Sequence, residues 1–299
     1  MPDRPEPGHC QSLEPGVRRV LAPNPSPMTH WGTNTYLIGT GSVAVIDPGP
    51  ALPTHFNAIL AALSAGERIT HILVTHAHLD HSPLARPLAQ ATGAKVFAFG
   101  TATAGRSTRM QQLAMSGDAG GGEGLDHGFS PDETLADGDS VASDDWALLA
   151  HHTPGHISGH LCFALDDWLF SGDHVMGWAS SLISPPDGDM AAYRASLALL
   201  AARPWRQFFP AHGSSIANPD ARLAFLADHR KQREAAILAA LAQGAQTLPA
   251  LIARVYTDTP KALLPAASRN LLAHLIDLED RNLIAAYPSL SVTARFSLI

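Results

Sequence analysis

Cysteine is nearly missing from this chain: Cys10 and Cys162 are the only two in 299 residues. Two thiols make no disulfide framework, so the small stapled secreted class is excluded and a reducing, cytoplasmic compartment is the expectation. Long apolar runs are missing too. No stretch approaches the roughly eighteen apolar residues that would nominate a membrane helix. The first residues include Asp3, Glu6 and Glu14, where a secretory signal needs an apolar run and a transit peptide avoids acids. Charged residues are sparse at 16% against 45% apolar, which permits a substantial core and excludes wholesale disorder. There is no excess of positive charge. The net charge is −7; residues 1–220 carry 11 Lys+Arg against 21 Asp+Glu, and residues 221–299 carry 9 against 6. An acidic body discourages nonspecific nucleic-acid binding, and the tail is only mildly basic.

What the chain does have is histidine in one dense cluster. Thr75-His76-Ala77-His78-Leu79-Asp80-His81 holds three imidazoles and a carboxylate in the pattern H-x-H-x-D-H. Such donors suit zinc, iron or manganese, and four of them are more than a mononuclear catalytic site takes from one loop, which suggests a second metal. A strand pattern over residues 69–74 runs straight into the cluster, so the donors sit at the carboxyl end of a strand. Three later segments each offer one donor beyond a short apolar strand, with glycine alongside: Thr153-Pro154-Gly155-His156, Ser171-Gly172-Asp173 and Pro210-Ala211-His212-Gly213.

Residues 1–30 are proline-rich and read as an extended N-terminal arm. Strands are expected over residues 35–39, 43–46, 69–74, 95–99, 140–142, 146–151, 160–165, 168–170 and 207–210, with Asp166-Asp167 as a tight turn. Helices are expected over 51–65, 82–92 and 190–202. Residues 101–128 show no clear period, and Gly120-Gly121-Gly122-Glu123-Gly124 reads as a mobile loop without phosphate-loop context. After Asn218-Pro219 come helices over 221–243, 248–256 and 266–282 and a strand-like end at 289–294, a second unit whose boundary near 225–230 is soft.

These motifs, in this order, resemble those of the metallo-β-lactamase superfamily. The resemblance covers about residues 30–215 and implies a four-layer αββα sandwich, an α+β fold. It implies that His76, His78 and His156 hold one metal, that Asp80, His81 and His212 hold a second, and that Asp173 bridges them. Asp47, in Val45-Ile46-Asp47-Pro48-Gly49, matches an early motif that supports the site without ligating it. Two dications about 3.5–4 Å apart need a shared anion, which Asp173 and a bridging hydroxide can supply. Zinc is the default, two per chain, and iron and manganese fit the same N/O donors. The lone carboxylate is Asp173 and Cys162 falls in a strand, so the cysteine-containing lactamase pattern is absent and β-lactam hydrolysis is not the expectation.

The tail sharpens the resemblance. His229-Arg230, Arg233-Glu234, Tyr256-Thr257-Asp258-Thr259-Pro260 and Asn270-Leu271-Leu272-Ala273-His274-Leu275 are similar to the winged-helix domain of the lactamase-β-like-2, glyoxalase-II-like branch. The implied organisation is an arm at 1–30, a catalytic domain at 31–225 and a winged-helix-like domain at 226–299. The leading reading is a dinuclear metallohydrolase using a metal-bridging hydroxide on a thioester, ester, lactone or phosphodiester. Asp80 would ligate and orient the nucleophile, and loops 100–130 and 174–190, with Trp178, Tyr193 and the appended domain, would form the substrate walls. A small-molecule substrate and no membrane partner are expected; oligomeric state is open. The alternative enzyme reading is a single-stranded RNA endoribonuclease, and a rival from another class is a metal-binding regulatory or scaffold protein. Against nucleic acid, residues 266–282 carry Asp277, Glu279 and Asp280 beside Arg269 and Arg281, and Leu271, Leu272, Leu275 and Leu278 recur at core spacing. His152, His160 and His174 read as packed or outer partners of ligands. His55, His71, His127, His229 and His274 read as ordinary.

Overall fold

Strand alternation here sends apolar side chains to two different cores at once. In the computed structural model, which describes residues 4–299, seven strands form one sheet in chain order: β1 (Cys10–Glu14), β2 (Val17–Leu21), β3 (Asn34–Ile38), β4 (Ser42–Ile46), β5 (Arg68–Leu73), β6 (Lys95–Ala98) and β7 (Glu133–Thr134). β1 to β4 pair antiparallel and β4 to β7 parallel. A five-stranded sheet, in the order β12-β11-β10-β9-β8, is built from β8 (Ser140–Ala142), β9 (Ala147–His152), β10 (Leu161–Leu165), β11 (Trp168–Gly172) and β12 (Gln207–Pro210).

Tyr36, Ile38, Ala44 and Ile46 point between the sheets and meet Phe163, Phe170 and Phe209 of the second sheet. Leu37, Val43 and Val45, on the alternate positions, pack outward beneath helices α1 (Pro53–Ala61) and α2 (Ala85–Thr92). Near-continuous apolar strands are what a sheet covered on both faces requires. α3 (Thr108–Ser116) follows, and α4 (Met190–Ala201) covers the outer face of the second sheet through Met190, Tyr193, Leu197 and Leu200. The result is the expected αββα sandwich.

α5 (Pro219–Leu241) joins the two units. Leu223 and Leu226 belong to the sandwich, whereas Ile237 and Leu241 belong to the C-terminal core. α6 (Leu248–Val255), α7 (Leu264–Asp280) and a three-stranded sheet of β13 (Gln246–Thr247), β15 (Arg295–Leu298) and β14 (Ile284–Tyr287) complete that unit. Leu271, Leu272, Leu275 and Leu278 are all buried in it, as their spacing implies. Among the described residues, no helix is long and apolar enough to cross a membrane.

Four expectations need correction. The stretch read as an arm at 1–30 contains β1 and β2; Val17 and Val20 are fully buried, and the prolines flank the strands. α3 lies where no period was visible. Its Ser107 cap accepts a bond from Met110 N, and its two buried apolar residues, Met110 and Leu113, pack on the distant C-terminal unit. Residues 289–294 are the turn between β14 and β15, not a strand. The glycine-rich loop is tied down: Gly122 N donates to Asp187 Oδ2 at 2.7 Å and Leu79 N to Gly124 O at 2.8 Å.

Candidate metal centre

Because β9 and β11 both run antiparallel to β10, and β12 runs parallel to β11, these three strands share one direction. Their carboxyl ends release His156, Asp173 and His212 at one edge of the sandwich, and β5 delivers His76 to the same place. The chain then turns tightly, with His81 N and Ser82 N both donating to His78 O at 3.0 Å, before α2 opens at Ala85. All seven expected donors converge there.

They form two halves. In the first, His76 Nε2 lies 2.9 Å from His78 Nδ1, which lies 3.1 Å from His156 Nε2. In the second, Asp80 Oδ2 stands 3.3 Å from His81 Nε2 and 3.2 Å from His212 Nε2. Asp173 stands between them, with Oδ2 at 3.7 Å from His156 Nε2 and 3.8 Å from His81 Nε2, and Oδ1 at 3.2 Å from His212 Nε2.

The outward ring nitrogens are tethered. His156 Nδ1 faces Leu182 O at 2.6 Å, His212 Nδ1 faces Gly32 O at 3.1 Å, and His81 Nδ1 faces Asp47 Oδ2 at 3.0 Å. His76 Nδ1 is 3.0 Å from Thr75 Oγ1, whose hydroxyl donates to Asp47 Oδ2 at 2.8 Å. Each acceptor holds a proton on the outer nitrogen, so the inner one is the atom turned to a metal, bare in a neutral ring and freed in a protonated one when a cation displaces its proton. Asp47 also accepts from Thr75 N at 2.7 Å, so it braces the loop without reaching the donor cluster.

Electrostatics separates the halves. Burial, then the neighbouring His81, His78 and His156, drive His76 far below an ordinary imidazole, and burial with His156 takes His78 down to about 3. Burial also opposes charge on His212, but Asp173 and Asp80 outweigh it and raise that imidazole to about 10. A half that repels protons while aiming three lone pairs at one point suits a cation better than water. His81 Nε2 and Asp173 Oδ1 are buried and make no well-directed hydrogen bond. Three donor groups, His76/His78/His156, His76/His81/Asp173 and Asp80/His81/His212, are compact enough to hold a metal ion. The donor set therefore fits one or two N/O-ligated cations.

Other histidines stay outside. His160 Nε2 accepts from Asp173 N at 3.2 Å and so steadies that residue; His152 Nε2 bonds to Ser158 O at 2.8 Å. His174 is packed 4.8 Å from the Tyr193 ring. A cavity of about 780 Å³ opens over the cluster, lined by Met28, Met176, Trp178, Glu123 and residues of the C-terminal unit. Tyr193 is not a wall: it is fully buried, its hydroxyl donating to His174 O at 3.2 Å. Arg230, Arg233, Tyr256 and Asn270 line the cavity, as expected of the appended domain, and residues 26–28 of the supposed arm line it unexpectedly. The first four all lie in the tail segments that carry the family resemblance, but nothing in their spacing singles them out as cavity residues.

Residues 28–212 match the family described as the metallo-beta-lactamase superfamily, and residues 247–288 match the beta-lactamase associated winged helix domain. A Drosophila melanogaster protein named "Beta-lactamase-like protein 2 homolog" is 34% identical over 89% of both chains. An "Atrochrysone carboxyl ACP thioesterase" of Aspergillus chevalieri is 30% identical over 79% of this chain and 69% of its own. A beta-lactamase domain protein from Burkholderia ambifaria superposes with a TM-score of 0.80 at 20% identity, covering 100% of this chain and 96% of that one. With a matching fold, an ordered donor cluster and whole-length relatives, the chain belongs to the metallo-beta-lactamase superfamily and carries that family's associated winged helix domain.

Proposed function

We propose that this chain is a dinuclear metal-dependent hydrolase acting on an acyl thioester. The observation that carries the reading is Asp173, whose Oδ2 lies between the halves, 3.7 Å from His156 Nε2 and 3.8 Å from His81 Nε2, while its Oδ1 faces His212 Nε2 at 3.2 Å. His76, His78 and His156 would hold one cation, and Asp80, His81 and His212 the other, with Asp173 shared; zinc is the default and iron or manganese fits the same donors. Bound there, two dications would bring a water towards a pKa of about 7 and polarise the acyl oxygen.

The chain's own groups supply the rest. Asp80 is the most exposed of the donors' carboxylates, at 28% against 11% for Asp173, and lines the cavity, so it can accept a hydrogen bond from the attacking water and fix its direction. Met28, Met176 and Trp178 offer apolar cover for an acyl chain and exclude bulk water. A thioester needs no general acid for its cleavage, because a thiol near pKa 8.5 leaves without being protonated first. The thioesterase named among the relatives supports the same class.

The test is elemental analysis of purified protein followed by a hydrolysis screen against thioesters, lactones, phosphodiesters and single-stranded RNA. About two transition-metal ions per chain and thioester turnover are expected. Fewer than one metal per chain would sink the dinuclear claim, and RNA cleavage without thioester turnover would favour the endoribonuclease alternative.

A further inference from the structure

The cavity roof carries more hydrogen-bond donors than its neighbours satisfy. Arg230 on α5 is 1% exposed, yet forms no ion pair among the described residues. Its Nη2 donates to Ser181 O at 2.5 Å and its Nη1 to Asn270 Oδ1 at 3.3 Å, while its buried Nε has no partner. Arg233 gives Nη1 to Val255 O at 2.5 Å and lies 4.7 Å over the Tyr256 ring, again with no carboxylate. The Tyr256 hydroxyl and His229 Nδ1 are likewise buried without a partner. All four residues line the cavity that contains His78, Asp80, His156, Asp173 and His212.

Acids are not scarce nearby. Arg194 pairs with Glu234 at 2.7 Å and Asp277 at 2.8 Å, and Arg281 pairs with Glu234 at 2.7 Å. Arg230 and Arg233, like Arg269 on the same cavity wall, are left without counter-charge among the described residues. A buried guanidinium lacking an anion is unfavourable, and guanidinium forks match carboxylate and phosphate oxygens well.

We propose that His229, Arg230, Arg233 and Tyr256 form a specificity subsite for an oxyanion, a carboxylate or phosphate that the substrate carries away from its scissile bond. The proposal rests on the thioesterase reading. It orients the substrate, with the acyl carbonyl at the metal donors and the anion on the roof. A nucleic acid would need a track of cations, whereas these are confined to one wall over an acidic body.

The test uses metal-loaded full-length protein and matched pairs. One pair puts the anion on the acyl side (glutaryl against pentanoyl thioesters of N-acetylcysteamine). The other puts it on the thiol side (pentanoyl thioesters of 4′-phosphopantetheine against pantetheine). The readouts are kcat/KM and, without turnover, the Kd of thioether analogues by calorimetry. A preference of about tenfold or more for the anionic member of one pair is expected. Arg233→Met and Tyr256→Phe should bring that ratio close to one, and the pair that responds identifies the anion's source. Tyr256→Phe removes only a hydroxyl, so it stays informative if Arg233→Met folds poorly. A wild-type ratio near one in both pairs, or a ratio untouched by both variants, would overturn the subsite. Absence of all thioester turnover would overturn the thioesterase reading instead, leaving the calorimetric ratios to judge the subsite.

Discussion

Asp47→Asn isolates the outer support of the metal centre. Asp47 is 2% exposed and its carboxylate accepts three bonds, from Thr75 N at 2.7 Å, Thr75 Oγ1 at 2.8 Å and His81 Nδ1 at 3.0 Å. Its φ of 50° lies in the left-handed region, which asparagine tolerates as well as aspartate, so the backbone has no reason to move. The amide oxygen can keep the bond from Thr75 N. Its NH₂ then meets the Nδ1 proton of His81, donor against donor. Relief requires His81 to shift its proton to Nε2, the atom 3.3 Å from Asp80 and aimed into the donor cluster. A protonated Nε2 cannot ligate. Losing such an outer partner typically costs 10–100-fold in metal affinity, about 1.4–2.8 kcal/mol. The assay is competition with a chromophoric chelator, with turnover at saturating metal measured in parallel. Wild-type affinity for both metals together with wild-type turnover would refute the tautomer argument.

Two further outcomes follow from local geometry. Gly155→Ala would set a Cβ 2.5 Å from Tyr193 Cα and 2.6 Å from its Cβ, on a side chain with no room to retreat. A loss of about 1–3 kcal/mol in urea unfolding is expected, with weaker metal retention through His156; no change in either measurement would mean that the loop yields freely. Glu234 is held below its usual 4.5 by its bond to Arg281, against the opposing pull of burial. A depressed acid stabilises above its unfolded value and loses that contribution as pH falls through the folded one. Glu234→Gln should therefore cost up to about 1 kcal/mol near neutrality, and urea midpoints of the two proteins should converge below pH 4.5. Midpoints that stay equally far apart in acid would contradict the sign.

The donor cluster was legible because each of its four segments comes shortly after an apolar strand, and a strand end fixes roughly where the next side chains go. His76, His156, Asp173 and His212 needed no long-range knowledge to be picked out. Tyr193 was misjudged for the opposite reason: helical spacing shows that a residue can face the sandwich, not whether its hydroxyl ends in a cavity or on His174 O. β1 and β2 were hidden by the prolines around them, although Val17-Arg18-Arg19-Val20-Leu21 is a plausible strand on its own. α3 was hidden because its two buried residues pack against helices far along the chain. Arg230 and Arg233 were visible as residues but not as a site, since their meaning depends on carboxylates that are absent from around them in space.

The single helix shared by the two units bears on how the proposed substrate range would change. α5 runs unbroken over 23 residues, roughly 34 Å at 1.5 Å per residue, with its first half anchored in the sandwich and its second in the C-terminal core. A continuous helix bends stiffly and offers no hinge, so the roof behaves as a lintel fixed to the doorway below. Substitutions along its cavity-facing side can retune which molecules pass while the reaction centre stays as it was. On the proposed reading, chemistry and choice of substrate are carried by different parts of the chain, free to vary at different rates.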